Sequence, residues 1–216
     1  MELGTDRVLL INKPIDWTSF DVVNKLRYKL KIKKIGHAGT LDPLATGLLI
    51  ICTGKMTKRV DEYQAQEKEY TGKFVLGQTT PSFDLETEVS EAQDISFINK
   101  EGIYSATSKF IGSIQQVPPI HSAIRINGKR SYAMARKGKE PELKAREVFI
   151  KEFEITNIEL PIIEFRVVCS KGTYIRSLAR DFGQALGTVA YLSELCRTRI
   201  GEFKLTEALS LDQVPE

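Results

Sequence analysis

One stretch limits the fold more than any other: Ile35 to Leu49, IGHAGTLDPLATGLL. Gly36 and Gly39 allow backbone turns that side chains would block, and Pro43 sets φ directly after Asp42. The chain therefore turns here and holds a carboxylate in the turn. Ala45 to Cys52, ATGLLIIC, follows and is short and aliphatic enough for a buried strand, which sets Asp42 at the mouth of a core element. Loops anchored on such elements are where catalytic groups concentrate. On local chemistry the Asp-Pro pair also reads as a turn former or a helix N-cap, and both readings stand at this level.

With 216 residues, 42% of them hydrophobic, the chain can bury a full core, and a single globular body spanning 1–216 is expected. Lys and Arg number 31 against 28 Asp and Glu, and a net charge of +3 neither demands nor excludes a polyanionic partner. Cys52, Cys169 and Cys196 are far apart without C-x-x-C spacing, and only His37 and His121 are there to join them. That set argues against a disulfide framework and a structural zinc, and suits a reducing cytoplasm. No leader-like N-terminus and no bilayer-length apolar run is present, so a soluble protein is expected.

Arg7 to Ile11 reads as a strand, and Thr18 or Ser19 as the cap of a helix to about Leu30, with Phe20, Val23, Leu26 and Leu30 on its buried face. Arg27, Lys29, Lys31, Lys33 and Lys34 crowd its tail, either as a solvated face or as a phosphate grip leading into the Asp42 turn. A short helix over Lys55 to Tyr63 and a strand over Glu67 to Gly77 come next, then a polar loop, Thr79 to Val89, of a kind often functional or mobile. A helix from about Ser96 to Phe110, closed by Gly112, carries no chemistry. In Gln116 to Gly138, Pro118-Pro119 enforces extended chain, Asn127-Gly128 signals a hairpin, and Ser131 can cap a short helix. Arg125, Lys129, Arg130, Arg136 and Lys137 make this segment basic, with Tyr132 interleaved. Arg146 to Ile158 and Ile162 to Ser170 read as antiparallel strands. The helix beyond Thr173 has an apolar stripe of Ile175, Leu178, Ala179, Phe182 and Leu186, closed by Gly187, with Gly183 inside it at some cost in helicity. This mixture predicts an α+β fold on a mixed, largely antiparallel sheet.

The string GHAGTLDPLATGLL resembles the signature of the TruB family of pseudouridine synthases. KEY at 68–70, GQTTPSFD at 77–84, PPIHSA at 118–123 and SKGTYIRSLARDFG at 170–183 match family patterns in the same order, so the resemblance covers nearly the whole chain. It implies the pseudouridine synthase fold, with flanking helices and an active-site cleft. It also implies isomerisation of the T-loop uridine of transfer RNA, without cofactor or metal, by a flipped-base mechanism. By the same resemblance Asp42 is the nucleophile, Tyr70 the tyrosine that stacks on the base and relays a proton, and Arg176 the arginine that pairs with the aspartate. Tyr174 and Leu192 match positions lining the base pocket, and His37 a histidine packed against the RNA. Lys13, Arg125, Lys129 and Arg130 are candidates for phosphate contacts. Without the resemblance, Tyr70, Tyr174 and Leu192 read as core, Arg176 as surface and His37 as an ordinary loop histidine.

Two departures stand out. Many relatives carry a C-terminal RNA-binding PUA domain, whereas about a dozen residues follow Leu205 here, and Arg125 stands where relatives often have lysine. A guide-dependent synthase and a non-catalytic RNA-binding protein on the same scaffold are the competing expectations. The absent PUA segment speaks against the first, and the joint presence of Asp42, Tyr70 and Arg176 against the second.

Overall fold

The computed structural model describes residues 5–122 and 143–215 and, as backbone, 125–126 and 129–130. The described residues form, in order, β1 (Val8–Lys13), α1 (Ser19–Lys29), β2 (Ile35–Ala38), β3 (Thr46–Thr53), α2 (Val60–Ala65), β4 (Lys68–Leu76) and α3 (Lys100–Thr107). After these come β5 (Gly112–Gln116), β6 (Arg125–Ile126), β7 (Lys129–Arg130), β8 (Arg146–Glu159), β9 (Ile162–Cys169), α4 (Ile175–Ala185), β10 (Ala190–Ile200) and β11 (Phe203–Lys204). The chain forms two compact units, Met1–Thr71 with Glu194–Glu216, and Gly72–Ser193. Both β4 and β10 cross the unit boundary.

In the first unit, β3 runs antiparallel to β1 along one edge, from Val8↔Cys52 to Lys13↔Gly47. Its other edge is shared between β2, antiparallel at Ile35↔Thr53 to Ala38↔Ile50, and β10, parallel at Cys196↔Thr46 and Arg197↔Gly47. The expected glycine-rich turn is thus half strand: Gly36 lies in β2 with open space where a Cβ would stand, and the chain turns at Gly39, φ +86°. The helix prediction for α1 holds at its cap, where Thr18 Oγ1 accepts from Asp21 N and the Asp21 carboxylate accepts from Thr18 N. Its buried face is Ser19, Val22, Val23 and Leu26, packed on Ile11, Leu49 and Ile51. Phe20, expected on that face, is 60% exposed, because the i, i+3, i+4, i+7 stripe begins one residue earlier. The expected helix over Lys55 to Tyr63 divides into a 3-10 turn, Gly54–Arg59, and α2.

The second unit has the strand order β10-β4-β9-β8-β5. The long β8–β9 hairpin pairs antiparallel, as its alternation predicts. Phe74, Phe110, Phe153, Phe165 and Phe182 form its aromatic core, with Phe74 stacked on Phe165 at 4.1 Å and Phe153 edge-on to Phe182 at 5.3 Å. α4 buries the predicted stripe, and Gly183 has a packing reason: a Cβ there would lie 2.6 Å from Ala190 N. The helix expected from Ser96 starts later, at the Asn99 cap, and ends in a 3-10 turn, Ser108–Phe110, while Gly112 with φ +95° opens β5. β6 and β7 pair antiparallel at Arg125↔Arg130 and Ile126↔Lys129, the register a two-residue connection requires. The helix expected at Ser131 lies outside the described residues.

β10 has no counterpart in the sequence prediction. Its YLSELCRTRI run mixes charges with apolar residues, and it is strand because β3 and β4 flank it on both edges. The parallel β3–β10 pair among antiparallel ones makes the sheet mixed, as expected. Among the described residues no helix is long and apolar enough to cross a membrane.

Candidate active site

Asp42 opens a turn, Asp42-Pro43-Leu44-Ala45, closed by Ala45 N donating to Asp42 O at 3.1 Å, with proline at the second position where its φ suits the turn. Three side chains from three different elements hold it. Ser19, at the buried start of α1, accepts from Leu41 N at 2.9 Å and donates to Leu41 O at 3.3 Å. Lys13, at the end of β1 and fully buried, donates to Pro43 O at 3.1 Å, Pro14 O at 2.9 Å and Trp17 O at 2.5 Å. Arg197, 1% exposed on β10, donates to Leu48 O, Gly39 O and Thr40 O. Burial pulls the Lys13 ammonium down to about 8, against the opposing attraction of Asp42 and Asp16.

His37 sits on β2 opposite Ile51. Burial lowers its pKa, so the ring is neutral at pH 7, and its Nδ1 has no hydrogen-bond partner among the described residues. Tyr70, on β4, is 8% exposed.

The second unit holds a polar constellation of its own. Arg176, in the first turn of α4, is 4% exposed, and its Nε lies 3.4 Å from the Asp84 carboxylate while Nη1 donates to Ser82 O at 3.3 Å. Asp84 Oδ1 accepts from Ser82 Oγ at 2.6 Å and Glu86 N at 3.0 Å. Thr80 Oγ1 donates to Asp84 O, and Leu192 N to Phe83 O at 2.9 Å. Phe83, with φ +61°, is the strained residue between the two groups that face Arg176, and the Arg180 guanidinium lies 5.1 Å from its ring. The backbone of Tyr174, just before α4, donates from N to Gln116 Oε1 and accepts at O from Gln116 Nε2, and Arg146 covers the Tyr174 ring at 4.7 Å. The loop expected from its polarity to be functional or mobile is in this part buried, with Thr80 and Ser82 at 2% exposure or less.

Residues 27–175 match the TruB family pseudouridylate synthase N-terminal domain, and residues 176–216 the tRNA pseudouridylate synthase B C-terminal domain. The chain belongs to the TruB family. Similar relatives include the tRNA pseudouridine synthase B of Parabacteroides distasonis, 53% identical over 100% of this chain and 94% of that one. That of Flavobacterium johnsoniae is 54% identical over 95% of this chain and 93% of that one. Among solved structures, a chain of a Cbf5-Nop10-Gar1 complex matches with TM-score 0.75 and 32% identity over 96% of this chain. A chain of an H/ACA RNP bound to a substrate RNA containing 2'-deoxyuridine matches with TM-score 0.71 and 29% identity. This TruB-family chain spans about half the length of those two solved chains, 53% and 51%.

Within the first unit, then, the TruB signature is a carboxylate turn braced by a hydroxyl and two buried cations. Of the residues named from sequence, Lys13 changes part: buried, with three carbonyls around its ammonium, it has no surface to offer a phosphate and instead holds the turn. Arg176 is core, not surface, and the carboxylate beside it in its own unit is Asp84. Leu192 supports that loop through its backbone and is 5% exposed. The side chains of Arg125, Lys129 and Arg130 lie outside what the structure describes. Sequence reasoning missed Ser19 and Arg197 as braces of the Asp42 turn and Asp84 as the carboxylate beside Arg176. Asp84 stood inside the quoted GQTTPSFD motif, whereas Arg197, in a strand not foreseen, gave no local signal.

Proposed function

We propose that this TruB-family protein isomerises uridine to pseudouridine in transfer RNA, at the T-loop uridine and without a guide RNA. The bond from C1′ to N1 breaks, the freed uracil rotates in place, and C5 joins C1′ while the C5 proton leaves and N1 gains one. No electron or energy carrier is consumed. Asp42 is the carboxylate that adds to, or stabilises charge at, the reacting centre. Tyr70 stacks on the base and relays the proton, and Arg176 is the cation that keeps the nucleophile ionised. Tyr174 and Leu192 line the base pocket and His37, neutral, packs against the RNA. Arg125, Lys129 and Arg130 meet phosphates of the T-arm, from which the uridine is extruded. The observation that carries this reading is the Asp42 turn, fixed from three elements at once, in a chain matched end to end by tRNA pseudouridine synthase B relatives.

The test is to incubate the protein alone with an unmodified transfer RNA transcript and map pseudouridine by carbodiimide treatment and primer extension. A single new stop at the T-loop uridine is expected, absent with Asp42→Asn. No stop, or one that needs an added guide RNA, overturns the reading. A T-arm stem-loop should be modified almost as well as full-length transfer RNA, with affinities falling along similar salt slopes.

A further inference from the structure

Arg197 is the largest fully buried side chain in the described structure, yet it carries a charge. Burying a guanidinium is costly unless its donors are met, and an apolar side chain of similar volume would fill a core position at least as well. Its three partners are backbone carbonyls: Leu48 at 2.8 Å, Gly39 at 3.2 Å and Thr40 at 3.5 Å. Two of them precede Asp42 in the chain and one follows. The planar fork of the guanidinium thus spans the two limbs of the loop and sets their separation.

The backbone has been shaped to let it do so. At the register pair Arg197↔Gly47 the parallel strands come so close that a Cβ on Gly47, φ +102°, would stand 2.4 Å from Arg197 O. Gly39 turns at φ +86° with its Cβ position 3.6 Å from Arg197 Nη1, so the carbonyl faces the guanidinium.

We infer that Arg197 is a positioning residue for the reacting carboxylate, clamping the Gly39–Thr40 and Leu48 limbs so that Asp42 is presented in one geometry. The inference rests on the proposed role of Asp42. It assigns Arg197 no contact with RNA.

The test compares Arg197→Lys, which keeps the buried charge without the fork, Arg197→Met, which removes both, and Asp42→Asn, in single-turnover rates and RNA affinity. Rates are taken at saturating transfer RNA and normalised to the folded fraction measured by circular dichroism. Displacing a catalytic group by about 1 Å costs on the order of 100-fold in rate. The expected result is a loss of about that size for Arg197→Met, a partial loss for Arg197→Lys, and RNA affinity within about threefold of the parent for both, since phosphate contacts supply affinity. If Arg197→Met does not fold, Arg197→Lys decides alone: a rate equal to the parent's overturns the inference. Normalised rates in both variants equal to the parent's, beside a reduced folded fraction, make Arg197 structural and overturn it too. Turnover retained by Asp42→Asn refutes the reading of Asp42, whereas an inactive Asp42→Asn beside fully active Arg197 variants refutes only the clamp.

Discussion

Arg176 and Arg197 are both nearly inaccessible, at 4% and 1%, and their surroundings differ in kind. Arg176 has a carboxylate beside it, Asp84, itself bonded to Ser82 and Glu86. Arg197 and Lys13 in the other unit face backbone carbonyls. The first arrangement compensates charge with charge and makes a rigid polar core for one loop. The second uses cations as multi-pronged donors to shape another loop, and keeps positive charge beside a carboxylate assigned to chemistry. Substitutions in the Asp84 loop should therefore be read mainly in stability, and those around the Asp42 turn mainly in rate.

The largest effect expected is at Asp42. Asp42→Asn should lower the single-turnover rate by several orders of magnitude with RNA affinity within about threefold of the parent, because phosphates and not the carboxylate supply binding. A tritium-release assay at saturating RNA, beside a filter-binding titration, checks both halves.

Next comes the ion pair. Arg176→Met leaves the buried Asp84 carboxylate without the cation beside it and should cost about 3–5 kcal/mol in denaturant unfolding; Asp84→Asn removes the pair from the other side and should also destabilise. The double substitution Arg176→Met with Asp84→Asn should cost less than the two singles added. Additive losses would mean that the pair is not the unit of stability there.

Lys13 sharpens the contrast through pH. Its folded value of about 8 lies below its ordinary 10.5, so between those limits the unfolded chain binds more protons. The parent's stability should accordingly rise, relative to Lys13→Met, as pH goes from about 8 to 10.5, by roughly 1–3 kcal/mol. Over the same window the rate should fall, since an amine that has lost a proton can no longer serve all three carbonyls. Unfolding curves and single-turnover rates at pH 7.5 and pH 9.5 test the two signs together.

The smallest effect separates neighbours on one helix end. Thr18→Ala removes the cap of α1 and should cost about 1 kcal/mol of stability with the rate at saturating RNA unchanged. Ser19→Ala leaves both Leu41 backbone groups without their partner, costing about 1–2 kcal/mol, and should also slow turnover because Leu41 leads into Asp42. Equal rate effects from the two would show that the brace at Leu41 does not reach the chemistry.

Local elements were readable wherever a short-range rule governs them. The Thr18 cap, the strand after Ala45, the stripe of α4 and the β8–β9 hairpin follow from capping, periodicity and alternation. The reading slipped by one residue at Phe20, where a long apolar side chain satisfied the helical period without facing the core, and at Gly36, where a glycine sat in a strand. Motif order identified the family and singled out Asp42 as a candidate, although the local chemistry of an Asp-Pro pair favours a plain turn former.

The sequence by itself determined that the chain turns sharply at a carboxylate, that its elements are mixed, and which family it joins, because those follow from residue types at fixed spacing along the chain. Only the tertiary structure decided what holds that carboxylate. Lys13, Ser19 and Arg197 lie 29, 23 and 155 residues from Asp42 in the chain, and their roles depend on long-range sheet register. A lysine or arginine in a strand carries no local mark of burial: its price in desolvation is met by carbonyls that only folding brings within reach.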